Sequence, residues 1–176
     1  SEKIITNAPL GDKIIKFCCV RFGNVLASSG SIIPIFKEQI RTGNEVTITH
    51  PDMTRFFMNM PDAVSLVLKA ATIVEGGEIF ILKMDALKIT DLAEVMIEEL
   101  APRHNKSPQS FIQKIIGIRP GEKLSEALLT PEEALYAEEL DDMIVIRNSL
   151  LAKRRGIDWQ EYQNCPRLTL HSKNMP

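Results

Sequence analysis

Segments with the short alternating or continuous apolar pattern of strands take turns along this chain with segments of helical period, and that alternation points to α/β architecture. The run Ile14–Arg21 is β-branched and largely apolar, which predicts a buried strand. A helix is expected over Ser31–Thr42, with Ser31 as N-cap, Pro34 in the first turn where a missing N–H is tolerated, and Gly43 as the stop. Val46–Thr49 alternates like a short strand, and His50-Pro51-Asp52 turns the chain toward Arg55. Pro61-Asp62 opens a further helix through about Val74, with Ala63, Val64, Val67, Leu68 and Ala71 at helical spacing and Gly76-Gly77 as its end.

Glu78–Lys83 reads as the next strand, and Thr90 as the N-cap of a helix over Asp91–Leu100 whose partly apolar stripe runs through Leu92, Val95, Met96 and Glu99. A polar surface loop with Pro102 and Pro108 follows. Ile112–Ile118 is expected as a strand, Lys123–Leu129 and Pro131–Tyr136 as short helices, and Met143–Arg147 as a last strand. Thr130 and Glu133 have the spacing of a capping box for the second short helix. From Asn148 the chain mixes basic residues with Gly156, Trp159 and Tyr162, and no repeat is present.

A chain of 176 residues, 44% of them hydrophobic, is enough for one domain with a core. The 21 basic residues against 23 acidic ones give a net charge of −2, so no global field draws the chain to nucleic acid or to an acidic membrane. The cluster Lys153-Arg154-Arg155 is too short for a nucleic-acid surface, and Glu98-Glu99, Glu138-Glu139 and Asp141-Asp142 read as solvated faces. Cys18 and Cys19 would point to opposite faces of a strand, and Cys165 is remote, so free thiols in a reducing compartment are expected. His50, His104 and His171 are scattered, which argues against a metal site. With no apolar stretch near 18 residues and no signal-peptide core, the expectation is a cytoplasmic protein with no membrane partner.

Three segments have residue types suited to phosphate: Val20-Arg21-Phe22-Gly23-Asn24-Val25, Met53-Thr54-Arg55-Phe56-Phe57 and Arg119-Pro120-Gly121-Glu122-Lys123. A planar guanidinium can give two parallel hydrogen bonds to phosphate oxygens, a geometry lysine cannot copy. Arg55 therefore reads as a phosphate ligand or as a surface arginine paired with Asp52 or Glu45. Arg119 reads as a second phosphate ligand, aimed by the turn that Pro120-Gly121 forces, or as an ordinary strand-ending arginine. Asn24 follows a strand and Gly23, where open α/β sheets place ligand contacts; it suits a sugar phosphate or acetamido group, and equally an Asx-turn. Lys37 and Gln39, on the helix after the Ser-Gly loop, are weaker candidates and read as solvated.

Taken in order, Arg21-Phe22-Gly23-Asn24-Val25-Leu26, Ser28-Ser29-Gly30-Ser31 with Ile33-Pro34-Ile35-Phe36, Val46-Thr47-Ile48-Thr49, Met53-Thr54-Arg55-Phe56-Phe57-Met58 and Arg119 to Glu126 resemble the polysaccharide-biosynthesis branch of the extended short-chain dehydrogenase/reductases. That group contains inverting UDP-N-acetylglucosamine 4,6-dehydratases, and the resemblance covers roughly 1–147. It implies the C-terminal part of an NAD(P)-binding Rossmann-type extended short-chain dehydrogenase with its smaller substrate-binding subdomain. Residues 1–30 would be a Rossmann remnant, 31–147 a substrate-binding region interleaved with a late Rossmann strand near 78–83, and 148–176 a tail.

By the same resemblance Val46 and Thr47 would lie along uracil, Glu122 would accept from ribose hydroxyls, and Asn24, Arg55 and Arg119 would contact substrate. Glu122 alone also reads as a solvated carboxylate. The glycine-rich cofactor turn is absent, and neither Tyr136 nor Tyr162 has a lysine four residues on. The expectation is thus a UDP-hexosamine-binding half, with no catalytic residue of its own, of an NADP- or NAD-dependent dehydratase or epimerase. It would be inactive and without cofactor by itself, its N-terminal half supplied in cis or in trans, and homo-oligomeric like its relatives. The alternative is a non-catalytic binding or assembly module. Relatives commonly carry glycine where this chain has Ala27, and a left-handed backbone there would cost alanine about 1 kcal/mol.

Overall fold

The computed structural model describes residues 2–6, 15–26, 28 and 30–147. Ile14, Ala27, Ser29 and everything singled out from 148 onward, including Trp159, Tyr162, Cys165, His171 and the basic cluster, lie outside the described residues. The elements are α1 (Glu2–Thr6), β1 (Cys19–Arg21), β2 (Asn24–Val25), α2 (Ile32–Thr42), β3 (Glu45–Ile48), β4 (Thr54–Met58) and α3 (Met60–Ile73). They continue with β5 (Ile79–Leu82), β6 (Ala86–Lys88), α4 (Ile89–Leu100), β7 (Ile112–Ile115), β8 (Ala137–Glu139) and β9 (Met143–Ile146). They fall into two units. Among the described residues one draws on the chain up to 22, on 60–83 and from 127 onward, the other on 23–59 and 84–126.

The first unit is built on a four-stranded sheet in the order β1-β5-β9-β8, with β1 parallel to β5 and the other pairs antiparallel. Met143, Ile144, Val145 and Ile146 are all buried, as an internal strand with two covered faces requires. Leu66 and Ala70 of α3 pack with Phe80, Met143 and Val145. The helix itself was expected, but its buried face is Ala63, Leu66 and Ala70, while Val64, Val67 and Leu68 are 50%, 44% and 63% exposed. A helix that is apolar on two sides has two equivalent stripes, and the one with small residues makes the close approach to β5. Gly76 (φ 125°) and Gly77 (φ 84°) end it with backbone that L side chains resist. The buried Glu78 carboxylate accepts the Glu75 and Gly76 N–H groups at 3.2 and 2.7 Å, which fixes that turn.

The second unit holds a three-stranded sheet, β2-β4-β6, and the parallel pair β3-β7. Its core joins Phe36 and Ile40 of α2, Val46 and Ile48 of β3, Phe57 of β4, and Ile89, Ala93, Met96 and Ile97 of α4. α2 follows the expected bounds with Ser31 at the N-cap, but the serine side chain makes no capping bond. Gly43 closes the helix in ordinary extended backbone, so its value there is not a left-handed φ. The exposed carbonyls are instead taken by Lys106, whose Nζ donates to Ile40 O, Arg41 O and Gly43 O at 2.9, 3.0 and 2.7 Å. α4 is capped at Lys88 rather than Thr90, and its buried face includes Ile89 and Ala93 while Val95 is exposed.

Other expectations are corrected by competition for backbone groups. Among the described residues of Ile14–Arg21 only Cys19–Arg21 is strand. β4, which the turn chemistry had hidden, is a strand because Thr54-Arg55-Phe56-Phe57-Met58 is aromatic and mostly buried. Lys123–Leu129 forms no helix: Leu124 O accepts from the Thr54 N–H at 3.1 Å, so its carbonyl serves β4 instead of a helical ladder. The second short helix is one 3-10 turn, Glu133–Tyr136, with the capping box in place: Glu133 N–H donates to Thr130 Oγ1 at 3.2 Å and Thr130 N–H to Glu133 Oε2 at 2.9 Å. Among the described residues no helix is long and apolar enough to cross a membrane.

Candidate functional site

The turn Arg119-Pro120-Gly121-Glu122 closes with the Glu122 N–H donating to Arg119 O at 3.0 Å, and Gly121 has φ 81°. Proline second and a positive-φ glycine third is the pattern of a type II turn. The Glu122 carboxylate then fastens this turn to the two neighbouring strands. Its Oε2 accepts the Arg119 N–H at 3.1 Å, and its Oε1 accepts the Thr49 hydroxyl at 3.2 Å, just beyond β3. The same Oε1 lies 3.8 Å from Arg55 Nη2 of β4. Two of the three phosphate-suited segments and the end of the Val46–Thr49 stretch thus meet at one carboxylate.

Arg55 is only 9% exposed. Its Nη1 donates to Thr54 O and Leu124 O at 2.8 and 3.2 Å, its Nη2 to Lys123 O at 2.7 Å, and its Nε lies 3.5 Å from Glu126 Oε1. The partners expected from sequence, Asp52 and Glu45, are not those it uses. Arg119 is the opposite case: its side chain is exposed and makes no ion pair among the described residues.

Asn24 stands in β2 opposite Phe57, half-buried, with no hydrogen-bond partner for its side chain among the described residues. Gly23 before it is required by space. A Cβ there would lie 2.7 Å from Met84 Sδ and 2.9 Å from the Phe56 carbonyl oxygen. Val46 is fully buried in the core. Thr47 is half-buried, and its N–H and hydroxyl are both engaged by Gln39, which had read as solvated. Lys37 is exposed.

Arg21, in the first of the three phosphate-suited segments, belongs to the other unit and is spent on carboxylates. Its Nε and Nη2 donate to Glu2 at 2.9 and 2.7 Å, its Nη1 and Nη2 to Glu133 at 2.9 and 2.6 Å, and its Nη1 to Leu128 O at 2.7 Å. All five donors of the fork are used. The Arg21 hydrogen bonds pull Glu133 down to about 2 and lower Glu2, while those carboxylates raise Arg21. Burial pushes the Cys18 and Cys19 thiols up, which keeps them protonated and unreactive.

The glycine that follows β1 offers no open cradle, since Met84 and the Phe56 carbonyl fill it, and the nine glycines include no G-x-G-x-x-G. Among the described residues no three His, Cys, Asp or Glu side chains gather around a metal position.

The polysaccharide biosynthesis protein family matches residues 1–148. The chain belongs to that family. Among relatives, an uncharacterized membrane protein of Methanocaldococcus jannaschii is 55% identical over 83% of this chain and 44% of its own length. An inverting UDP-N-acetylglucosamine 4,6-dehydratase of Campylobacter jejuni is 37% identical over 84% of this chain and 41% of its own. The solved structure of Pen from Bacillus thuringiensis superposes with a TM-score of 0.84 at 37% identity, over 99% of this chain and 50% of that one. This member of the polysaccharide biosynthesis family therefore spans only 41–50% of the length of these three proteins, and its mixed α/β fold with parallel strand pairs matches that of the solved structure.

Proposed function

We propose that this chain is the nucleotide-sugar-binding half of an NAD(P)-dependent 4,6-dehydratase or epimerase acting on a UDP-hexosamine in surface polysaccharide synthesis. The observation that carries the reading is the Glu122 carboxylate, which fastens the Arg119 turn to Thr49 and lies beside Arg55. In this arrangement the exposed Arg119 fork takes the diphosphate. Asn24 presents an unengaged amide to a phosphate or acetamido group, and Thr47 faces the base. Glu122 keeps lone pairs for a ribose hydroxyl. Arg55, with its donors on backbone carbonyls, contributes a nearly buried positive charge near the diphosphate rather than a free fork.

NADP or NAD would supply hydride acceptance and return in the complete enzyme. No glycine-rich cofactor turn occurs in the sequence, and in this reading the chain alone is inactive. The working assembly is a cytoplasmic homo-oligomer completed by an N-terminal half. Calorimetric titration with UDP, UDP-N-acetylglucosamine and NADP tests the reading: uridine ligands bind and NADP does not. Absence of any uridine binding to folded chain removes it.

A second reading, a module that assembles with a separate N-terminal chain, is favoured by the first unit. Among the described residues β1 is an edge strand of its sheet, and the second apolar stripe of α3 is exposed. Co-purification with an N-terminal polypeptide would support it.

A further inference from the structure

Two hydrogen bonds join Gln39 of α2 to Thr47 of β3. Thr47 N–H donates to Gln39 Oε1 at 3.0 Å, and Gln39 Nε2 donates to Thr47 Oγ1 at 2.7 Å. β3 and β7 run parallel, with Asn44 O and Ile48 O accepting from Ile112 N and Ile116 N at 2.9 Å each. Along such a ladder the polar groups of successive residues point alternately to the two edges of the strand. Val46 therefore turns toward β7 with Asn44 and Ile48, and Thr47 turns to the other edge, where among the described residues no strand pairs. At that edge the Gln39 carboxamide takes the place of a neighbour.

A carboxamide offers a carbonyl acceptor beside an N–H donor in one plane. The lactam edge of uracil offers the same pair. We infer that Gln39 occupies the base-reading edge of β3 in the free protein and that a lactam base replaces it bond for bond. The base carbonyl then accepts from Thr47 N–H, and the ring N–H donates to Thr47 Oγ1. This rests on the nucleotide-sugar reading above and names the part of the ligand that β3 selects. It also removes Val46 from base reading, because its backbone faces β7 and its side chain the core.

An exchange of two hydrogen bonds for two of the same kind is close to neutral, so the glutamine acts as an internal competitor. Titration of the unmutated chain, Gln39→Ala and Gln39→Glu with UDP and with inorganic pyrophosphate tests this, with folding checked by thermal melting. Gln39→Ala should bind UDP about threefold to tenfold more tightly, with pyrophosphate unchanged. Gln39→Glu, which accepts from both Thr47 groups, should bind UDP more weakly. On the unmutated chain, N3-methyl-UDP, which lacks the ring donor, should bind about tenfold more weakly than UDP. Equal UDP affinity in all three proteins, or equal affinity for UDP and its N3-methyl form, overturns the role of Gln39 alone. Absence of UDP binding in all three folded proteins overturns the nucleotide-sugar reading and this inference together.

Discussion

Arg21 and Glu133 meet fork to fork, with Nη1 donating to Oε2 at 2.9 Å and Nη2 to Oε1 at 2.6 Å. Because the same guanidinium grips Glu2 and the Leu128 carbonyl, it links α1, β1 and the segment leading into the Thr130 capping box. An arginine that looks available to phosphate in the sequence is in fact the fastener of the first unit.

That pair makes stability depend on pH. Between the unfolded carboxylate value of about 4.3 and the folded value of about 2, the unfolded chain binds more protons at Glu133. The contribution is complete above the former and lost as pH falls through the latter. With Glu133 a quarter exposed, screening leaves about 1–2 kcal/mol. Urea unfolding should show Glu133→Gln less stable by that amount at pH 7, the gap closing as pH approaches 2. A gap that does not change with pH would mean the pair adds nothing.

Lys106 spends its ammonium on the last carbonyls of α2 and lies 5.8 Å from the Phe111 ring. Lys106→Met keeps the stem and removes the charge, and should cost about 1–2 kcal/mol. Hydrogen exchange should accelerate in the C-terminal turn of α2 before it does so in α4.

Gly23→Ala should be among the most damaging small changes in the second unit. The Phe56 carbonyl belongs to β4, which is held in register between β2 and β6, and cannot withdraw without moving that strand, although Met84 can shift. The loss should be about 1–3 kcal/mol by thermal unfolding. Unchanged melting would show that β2 yields instead.

Much of this architecture is legible in the sequence because local signals and burial agree. α2, α4, β3, β5 and β9 follow from apolar period, although the serine and threonine expected to cap the two helices do not, and the Thr130–Glu133 capping box is present atom for atom. The site was legible as motifs, but not as roles. Whether Arg55 meets a phosphate or the Lys123 and Leu124 carbonyls depends on a contact 68 or 69 residues away, which no local pattern carries. The same holds for Gln39. At helical spacing it looks solvated, and only the unpaired edge of β3 gives its carboxamide a partner.

The two candidate arginines should consequently behave differently when removed. Arg55→Ala removes a donor from three backbone carbonyls, of which Leu124 O keeps the Thr54 N–H, in a site 9% exposed, so it should lower stability by about 2–4 kcal/mol, and any loss of UDP binding would follow from the loss of fold. Arg119→Ala removes an exposed guanidinium while the turn stays braced by Gly121 and by the Arg119 N–H to Glu122 bond, which alanine retains. Its stability should change by less than about 0.5 kcal/mol, and its UDP affinity should fall by about 1.5–3 kcal/mol. Urea unfolding and calorimetric titration of both variants separate the cases. Normal UDP affinity in a folded Arg119→Ala protein would take the diphosphate away from this turn, whereas a stable Arg55→Ala protein that fails to bind UDP would return Arg55 to the phosphate itself.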